Sequence, residues 1–122
     1  MKDSNKKIEV VYVDDNEMYG GILEAFFMES KGLKVKVFSS QKDYKNNYER
    51  TCGTSFLISD FHMRGELNGL DFVQQEKHLF NYVLVTSFDE NACLICHQNG
   101  IMFLGKDRVV NYIEGIEVGI TC

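Results

Sequence analysis

The sequence predicts an α/β domain: a doubly wound, five-stranded parallel sheet with helices on both faces. Five short apolar runs alternate along the chain with segments of helical spacing. Such alternation is typical of strands joined by right-handed helical crossovers, which produce a parallel sheet. With 122 residues, no internal repeat and no linker-like stretch, the chain fits one domain spanning residues 1–122.

The first strand and first helix are predicted over the first third of the chain. The run at 8–13 is apolar and β-branched, and it stops at Asp14, Asp15 and Asn16, a cluster suited to cap a helix. Apolar residues then recur at helical spacing as far as Gly32, which is a plausible helix end. They are Met18, Ile22, Ala25 and Phe26.

The middle of the chain predicts an edge strand, a polar helix and a buried strand. Residues 33–38 alternate between apolar and charged, as in a half-exposed edge strand. Ser40 follows as the cap of a polar helix that extends to about Arg50. The apolar run 55–59 predicts the third strand, which ends at Asp60.

The remainder of the chain completes the pattern. A glycine-containing loop leads to a third helix at about 70–79, and strand four is predicted at 82–86. A fourth helix is expected over 89–98, a fifth strand over 101–104, and a last helix from about 107 to 118.

Composition and charge exclude several classes of function. The chain has 13 basic and 18 acidic residues and shows no basic patch, so we expect no direct binding of nucleic acid. It contains no apolar run of the ~18–20 residues that a membrane span needs. The basic start is interrupted by Glu9 and is unlike a signal peptide, so we expect a cytoplasmic protein with four free thiols.

Chemically distinctive side chains stand where the predicted strands end. Sites in parallel sheets form beyond the carboxyl ends of the strands, so these residues should meet in one place. Each alone is more typical of a helix cap or a loop, but together they form a specific set. Three carboxylates in one small site require a proton or a cation, and oxygen ligands favour Mg²⁺. The set is Asp14, Asp15, Asp60, Thr86 and Lys106.

These residues resemble the motif set of response regulator receiver domains, which have a flavodoxin-like fold, and the resemblance covers almost the whole chain. Asp14 and Asp15 are similar to the acidic pair of that family, and the run from Asp60 to Met63 is similar to its Asp-x-x-Met motif. Other positions that match are Gly69, Thr86, Lys106 and the aromatic Phe103, three residues before the lysine.

The resemblance implies a phosphorylation mechanism. Asp60 would accept a phosphoryl group from a histidine kinase or phosphotransfer protein, and Lys106 and Thr86 would hold the phosphoryl oxygens. Mg²⁺ would be bound by Asp15, Asp60 and the backbone carbonyl of His62, with Asp14 acting mainly through metal-bound water. Such a protein is not an enzyme beyond catalysing its own phosphorylation and dephosphorylation.

The same resemblance implies a switch and an output surface. Thr86 would move toward the phosphoryl group and Phe103 would turn inward. Helix four, strand five and helix five would then bind a downstream protein, an effector domain or a second copy of the chain. The chain is equally compatible with a stand-alone receiver, the first domain of a longer regulator, and a receiver of a hybrid kinase.

Two positions depart from the receiver pattern, and a third bears on the lifetime of the phosphoryl group. Asp107 replaces a proline after Lys106; we therefore expect a trans bond and a further negative charge near the lysine. Arg64 replaces the proline after Met63. Phe88, two residues after Thr86, is predicted to shield a phosphoryl group from water, or else to be a packing residue.

Alternative functions remain open from sequence alone. The main one is a receiver-like interaction module that works without phosphorylation. An aspartyl-phosphate hydrolase is less favoured because position 62 is His, where those enzymes carry an acid/base aspartate. The run Cys93, Cys96, His97 matches haem, redox and zinc patterns, but its place within a helix favours packing.

Overall fold

The computed structural model describes residues 8–50 and 53–121, with side chains as far as Val118. The strands are β1 (Ile8–Val13), β2 (Leu33–Phe38), β3 (Thr54–Asp60), β4 (Tyr82–Ser87) and β5 (Met102–Gly105). The helices are α1 (Glu17–Phe27), α2 (Gln41–Asn47), α3 (Gly69–Glu76), α4 (Glu90–Gln98) and α5 (Val109–Thr121). Single 3₁₀ turns lie at Lys77–Leu79 and Lys106–Arg108.

The five strands form one parallel sheet in the order β2-β1-β3-β4-β5, which confirms the predicted fold class. The register places Asp60 beside Thr86, and Ser87 beside Gly105. Since all strands run the same way, the residues that follow β1, β3, β4 and β5 meet at one edge of the sheet.

Side chains that alternate along each strand build two cores, one on each face. Val10 and Tyr12 point to the face covered by α1 and α5, where they pack with Leu23 and Ile113. Val11 and Val13 point to the opposite face, which α2, α3 and α4 cover. This two-sided burial is why the central strands read as nearly continuous apolar runs.

Helix α1 buries a different face from the apolar stripe that indicates it in the sequence. Met18, Ile22 and Phe26 are 61%, 46% and 56% exposed, whereas Leu23 and Phe27 are buried. Gly20 explains which face of α1 is buried, because a Cβ at this position would lie 2.4 Å from the Val37 side chain. The helix approaches β2 through its glycine, and Met18, Ile22 and Phe26 face outward.

Other element boundaries differ from expectation as well: α1 ends at Phe27 rather than at Gly32, and α3 ends at Glu76 rather than at about Leu79. Helix α2 ends at Asn47 rather than Arg50, because Tyr48 adopts an extended backbone with φ −76° and ψ 131°. Strand β5 begins one residue late and continues through Gly105, so that Lys106 directly follows it. Within the part of the chain that the structure covers, no helix is long and apolar enough to cross a membrane.

Candidate functional site

The carboxyl edge of the sheet brings the predicted site residues together. Asp14 follows β1, Asp60 ends β3, Thr86 lies in β4 and Lys106 follows β5. One carboxylate oxygen from each of Asp14, Asp15 and Asp60 lies within 4.8 Å of the other two. An open cleft above them is lined by Asp15, Asn16, Glu17, Met18, Asp60, His62, Arg64 and Lys106.

Asp14 forms the buried floor of the site. Its Oδ2 accepts a hydrogen bond from the Tyr12 hydroxyl at 2.6 Å and lies 3.0 Å from the Lys106 ammonium. Its Oδ1 accepts from the Asn16 amide at 2.9 Å. Burial and the Asp14 charge raise the pKa of Tyr12 far above its ordinary value, so the phenol stays a donor.

Asp60 is buried, and the negative charge of the three clustered carboxylates exceeds the positive charge of Lys106. Its Oδ1 lies 3.1 Å from the Lys106 Nζ. Burial raises the pKa of Asp60 to about 6; the Asp14 charge adds to the rise and the Lys106 charge opposes it. The pKa of Lys106 is raised as well, because its contacts with Asp14 and Asp60 outweigh the effect of burial. A further cation at this site would therefore stabilise the ionised form of Asp60.

Lys106 reaches the site although Asp107 replaces the expected proline. The described residues contain no cis peptide bond, which agrees with the expected trans linkage. Lys106 lies within ion-pair distance of Asp14 and Asp60, and Asp107 is exposed. The 3₁₀ turn at Lys106–Arg108 therefore orients the lysine inward without proline.

Thr86 supplies a buried hydroxyl beside Asp60. Its Oγ1 has no hydrogen-bond partner among the described residues, although Thr86 is 0% exposed. A buried hydroxyl without a partner is costly, so such groups often mark a missing ligand. Thr86 also fixes the local backbone, because its carbonyl accepts the Phe61 amide at 2.9 Å.

Two aromatic rings cover Lys106. Its Nζ lies 4.8 Å from the centroid of Tyr19 and 5.8 Å from that of Phe88. The two rings are themselves 5.9 Å apart. The faces of aromatic rings attract a cation, so Tyr19 and Phe88 help to place the ammonium. Phe88 is 64% exposed and forms the outer part of this cover.

Gly69 allows the backbone of α3 to approach Asp60. A Cβ at this position would lie 2.2 Å from the Asp60 carbonyl oxygen, so no larger residue fits. The Gly69 amide donates to the Phe61 carbonyl at 2.7 Å and fixes the loop after β3. The glycine noted in the sequence therefore has a steric reason.

Two contacts at the site have no local signal in the sequence. The Arg64 Nε and the Arg64 backbone amide both lie 3.2 Å from the Asp15 Oδ2. The exposed His62 ring lies 3.0 Å from the Asp89 Oδ2, which links the loop after β3 to the start of α4. Both contacts join loops that are far apart in the chain, so spacing could not predict them.

The remaining predicted residues lie outside the acidic cluster. Phe103 is half-buried and packs against the core that contains Ala92 and Cys96 of α4. Cys96 is buried, which fits the packing interpretation, but Cys93 is exposed and does not pack on the sheet. Burial raises the pKa of Cys96 to about 11, which disfavours the reactive thiolate that redox chemistry requires.

The donor set at the cleft fits a hard divalent cation. Among the described residues, Asp14, Asp15 and Asp60 are the one group of three His, Cys, Asp or Glu ligands close enough to hold a metal. Carboxylate oxygens at an open cleft, where water can complete the coordination, suit Mg²⁺ better than a softer metal. No such group forms around Cys93, Cys96 and His97 among the described residues.

Comparisons with known proteins find similarity in structure and not in sequence. No family model and no curated protein matches the chain. An adenylate cyclase structure from Rhodopirellula baltica is similar, with 16% identity, a TM-score of 0.70, and coverage of 94% of this chain and 88% of that chain.

Two receiver structures are similar as well. A response regulator receiver protein from Pseudoalteromonas atlantica has 14% identity and a TM-score of 0.66, covering 92% of this chain and 98% of that chain. The non-phosphorylated receiver domain of RcsB from Escherichia coli has 13% identity and a TM-score of 0.67, covering 93% and 95%.

Topology and comparisons agree on the class. The chain is a doubly wound α/β domain with an acidic cluster at the carboxyl edge of its sheet. Its flavodoxin-like fold is that of response regulator receiver domains, as the sequence resemblance predicts.

Proposed function

We propose that this chain is a phosphoacceptor receiver domain of a two-component phosphorelay, and that Asp60 is the residue phosphorylated. The observation that carries the proposal is that the predicted site residues meet at one edge of the sheet. Three carboxylates lie within 4.8 Å of one another and Lys106 contacts two of them. The Thr86 hydroxyl next to Asp60 has no hydrogen-bond partner within the part of the chain that the structure describes. A phosphoryl group on Asp60 would give Lys106 and Thr86 oxygens to bind.

The chain's own residues account for the transfer. A carboxylate oxygen of Asp60 attacks the phosphorus of a phosphohistidine, and the P–N bond breaks. The histidine nitrogen leaves with the bonding electron pair and takes up a proton. Lys106, already within 3.1 Å of Asp60, offsets the charge that the phosphoryl group adds. Asp60 is ionised above its pKa of about 6, as a nucleophile must be.

Asp15, Asp60 and the His62 backbone carbonyl would hold Mg²⁺, with Asp14 acting through water. The ion would supply positive charge to the phosphoryl oxygens. Asp14 suits an indirect role because Tyr12, Asn16 and Lys106 already contact its carboxylate.

An exposed apolar stripe on α1 is the candidate surface for the phosphodonor, a histidine kinase or phosphotransfer protein. Met18, Ile22 and Phe26 lie on one side of the helix, and Met18 also lines the cleft. A donor bound there would bring its phosphohistidine to the edge of the site. Exposed apolar residues in a row are typical of protein-interaction surfaces.

The output surface is proposed to be α4, β5 and α5. Thr86 would move toward the phosphoryl group, and Phe103, packed beneath α4, would then turn inward. Leu94, Ile95 and Met102 are 57%, 39% and 57% exposed on this side, so a downstream protein, an effector domain or a second copy has apolar surface to bind. The local charge change would thus bias a two-state element.

Intact-mass analysis after incubation with acetyl phosphate tests the proposal. We expect one added phosphoryl group that requires Mg²⁺ and is absent from Asp60→Ala. Asp71→Ala is the matched control, since Asp71 is an exposed aspartate of α3, outside the acidic cluster. Absence of the adduct, together with absence of Mg²⁺ binding in calorimetry, would contradict the proposal.

That contradictory result would favour the second candidate, an interaction module that works without phosphorylation. The observation behind it is that the chain already places cations against all three carboxylates. Lys106 contacts Asp14 and Asp60, and Arg64 contacts Asp15. Binding at α4, β5 and α5 would then persist in Asp60→Ala.

A further inference from the structure

Arg64 stands at the rim of the acidic cluster and contacts the carboxylate that Lys106 does not. Its Nε lies 3.2 Å from the Asp15 Oδ2. Lys106 contacts Asp14 and Asp60. The three carboxylates are therefore shared between one buried cation and one exposed cation. The Arg64 side chain is exposed and can move into solvent, whereas the Lys106 side chain is buried.

The two contacts of Arg64 with Asp15 differ in how easily they break. The Arg64 side chain is 89% exposed and that of Asp15 is 23% exposed. Exposed ion pairs contribute little because water and salt screen them. The Arg64 backbone amide donates to the same Oδ2 at 3.2 Å, and this bond does not depend on the guanidinium. The side chain can move away while the backbone continues to orient Asp15.

The backbone that follows Arg64 is anchored to the start of α2. The Glu66 carboxylate accepts the amides of Gln41 and Lys42 at 2.8 and 3.1 Å, at the start of α2. The Gln41 side chain donates to the Leu67 carbonyl at 2.7 Å. These bonds hold the loop in place, so motion of Arg64 is confined to its side chain.

We propose that Arg64 is a positioning residue that competes with the divalent cation for Asp15. In the metal-free protein the guanidinium occupies the outer side of the Asp15 carboxylate. The cation binds by displacing it, and the displaced side chain extends into solvent. The inference rests on the proposed function, because it takes Asp15 to be a metal ligand.

Charge explains why the competition matters. A guanidinium near the cleft repels a divalent cation and also occupies one oxygen of a carboxylate that would bind the cation. Arg64 should therefore weaken metal binding, so that the acidic cluster binds Mg²⁺ only at higher metal concentration. A receiver with this residue would need a higher Mg²⁺ concentration to be phosphorylated.

Calorimetric titration with Mg²⁺ tests the inference without any phosphorylation step. The proteins are wild type, Arg64→Ala, Arg64→Gln and Arg50→Ala, each freed of metal and titrated at low ionic strength. Both Arg64 variants should bind Mg²⁺ about three- to tenfold more tightly than wild type. Arg50 precedes β3, at the opposite end of the sheet, and its exposed guanidinium contacts the Gly53 carbonyl. Arg50→Ala changes the net charge equally and should leave the affinity unchanged.

The outcomes separate this inference from the proposed function. Equal affinity in wild type and both Arg64 variants would overturn the inference and leave the metal site standing. Weaker binding in the Arg64 variants would overturn it too, by showing that Arg64 assists the metal. No Mg²⁺ binding by any of the four proteins would overturn both the inference and the metal site. Arg64→Gln keeps a long polar side chain, so agreement between the two variants shows that charge is responsible, and circular dichroism checks that each is folded.

Discussion

Two lysine–carboxylate sites lie on this sheet, and they differ in charge balance. Near the start of β1, the fully buried Glu9 lies 2.9 Å from Lys36 and accepts the Tyr48 hydroxyl. At the carboxyl edge, Lys106 contacts two of three clustered carboxylates, and the buried Thr86 hydroxyl at this edge has no hydrogen-bond partner among the described residues. Both lysines lie against aromatic rings, Lys36 at 5.2 Å from Tyr48 and Lys106 at 4.8 Å from Tyr19.

The difference separates a structural site from a binding site. At Glu9 the charge of one carboxylate is matched by the Lys36 ammonium, and the Tyr48 phenol donates to the same carboxylate. At Asp60 the negative charge exceeds the buried positive charge, and burial makes this unfavourable. A cation or a phosphoryl group with its cation would relieve it. Stability should therefore fall when the first site is broken and rise when the second is neutralised.

Glu9→Ala should give the largest effect. It removes the carboxylate that faces Lys36 and Tyr48 in a buried setting, and breaking a buried pair typically lowers the free energy of unfolding by about 3–5 kcal/mol. Urea denaturation followed by circular dichroism measures the loss. Glu24→Ala, the same change on the exposed side of α1, should alter stability by less than about 0.5 kcal/mol. Equal effects from the two would show that Glu9 is not a structural partner.

Asp60→Asn should raise the stability of the metal-free protein by about 1–3 kcal/mol at pH 7–8. Asp60 has a pKa of about 6 in the folded protein against 3.8 as its ordinary value, so keeping it ionised disfavours the folded state. The penalty develops as pH rises from about 4 to 6, and the advantage of the variant should shrink as pH falls through that range.

Denaturation curves at several pH values, without metal, measure this effect. Asp71→Asn, the same change at an exposed aspartate of α3, is the matched control. Mg²⁺ should stabilise wild type and reduce the difference from Asp60→Asn. A variant less stable than wild type at pH 8 would show that Lys106 already balances the cluster.

The gathering of Asp14, Asp15, Asp60, Thr86 and Lys106 could be predicted because each follows or ends a strand. Once strands are assigned and taken as parallel, their carboxyl ends must meet, and no long-range information is needed. The fold class follows from the same alternation. The contacts that each residue makes within the site could be seen only in the structure.

Features set by distant partners could not be predicted. Glu9 appears in the sequence only as an interruption of an apolar run, since Lys36 and Tyr48 belong to other elements. Periodicity identified α1 but not its buried face, which depends on the fit of Gly20 against Val37. The contact of Arg64 with Asp15 likewise joins two loops.

Phe88→Ala tests the aromatic cover at the open site. Phe88 is 64% exposed over Lys106, where it would limit access of water to a phosphoryl group on Asp60. We expect the variant to lose its phosphoryl group about three- to tenfold faster, which corresponds to about 1 kcal/mol of activation free energy. Loss of the mass adduct over time gives the rate. Phe26→Ala, an exposed phenylalanine of α1, should keep the wild-type rate; an unchanged rate in Phe88→Ala would assign that ring to packing.

Thr86→Val should give the smallest change in stability and the sharpest contrast between the two sites. The Thr86 hydroxyl is buried with no hydrogen-bond partner among the described residues, so replacing it by a methyl group should change the free energy of unfolding by less than about 0.5 kcal/mol or raise it. Tyr48→Phe removes a hydroxyl that donates to Glu9 and should lower stability by at least about 1 kcal/mol. Urea denaturation of both variants makes the comparison, and a larger loss from Thr86→Val would mean that its hydroxyl already stabilises the unphosphorylated protein. If the stability change is small and the acetyl phosphate adduct is nevertheless short-lived or absent, the hydroxyl serves the phosphoryl group and not the fold.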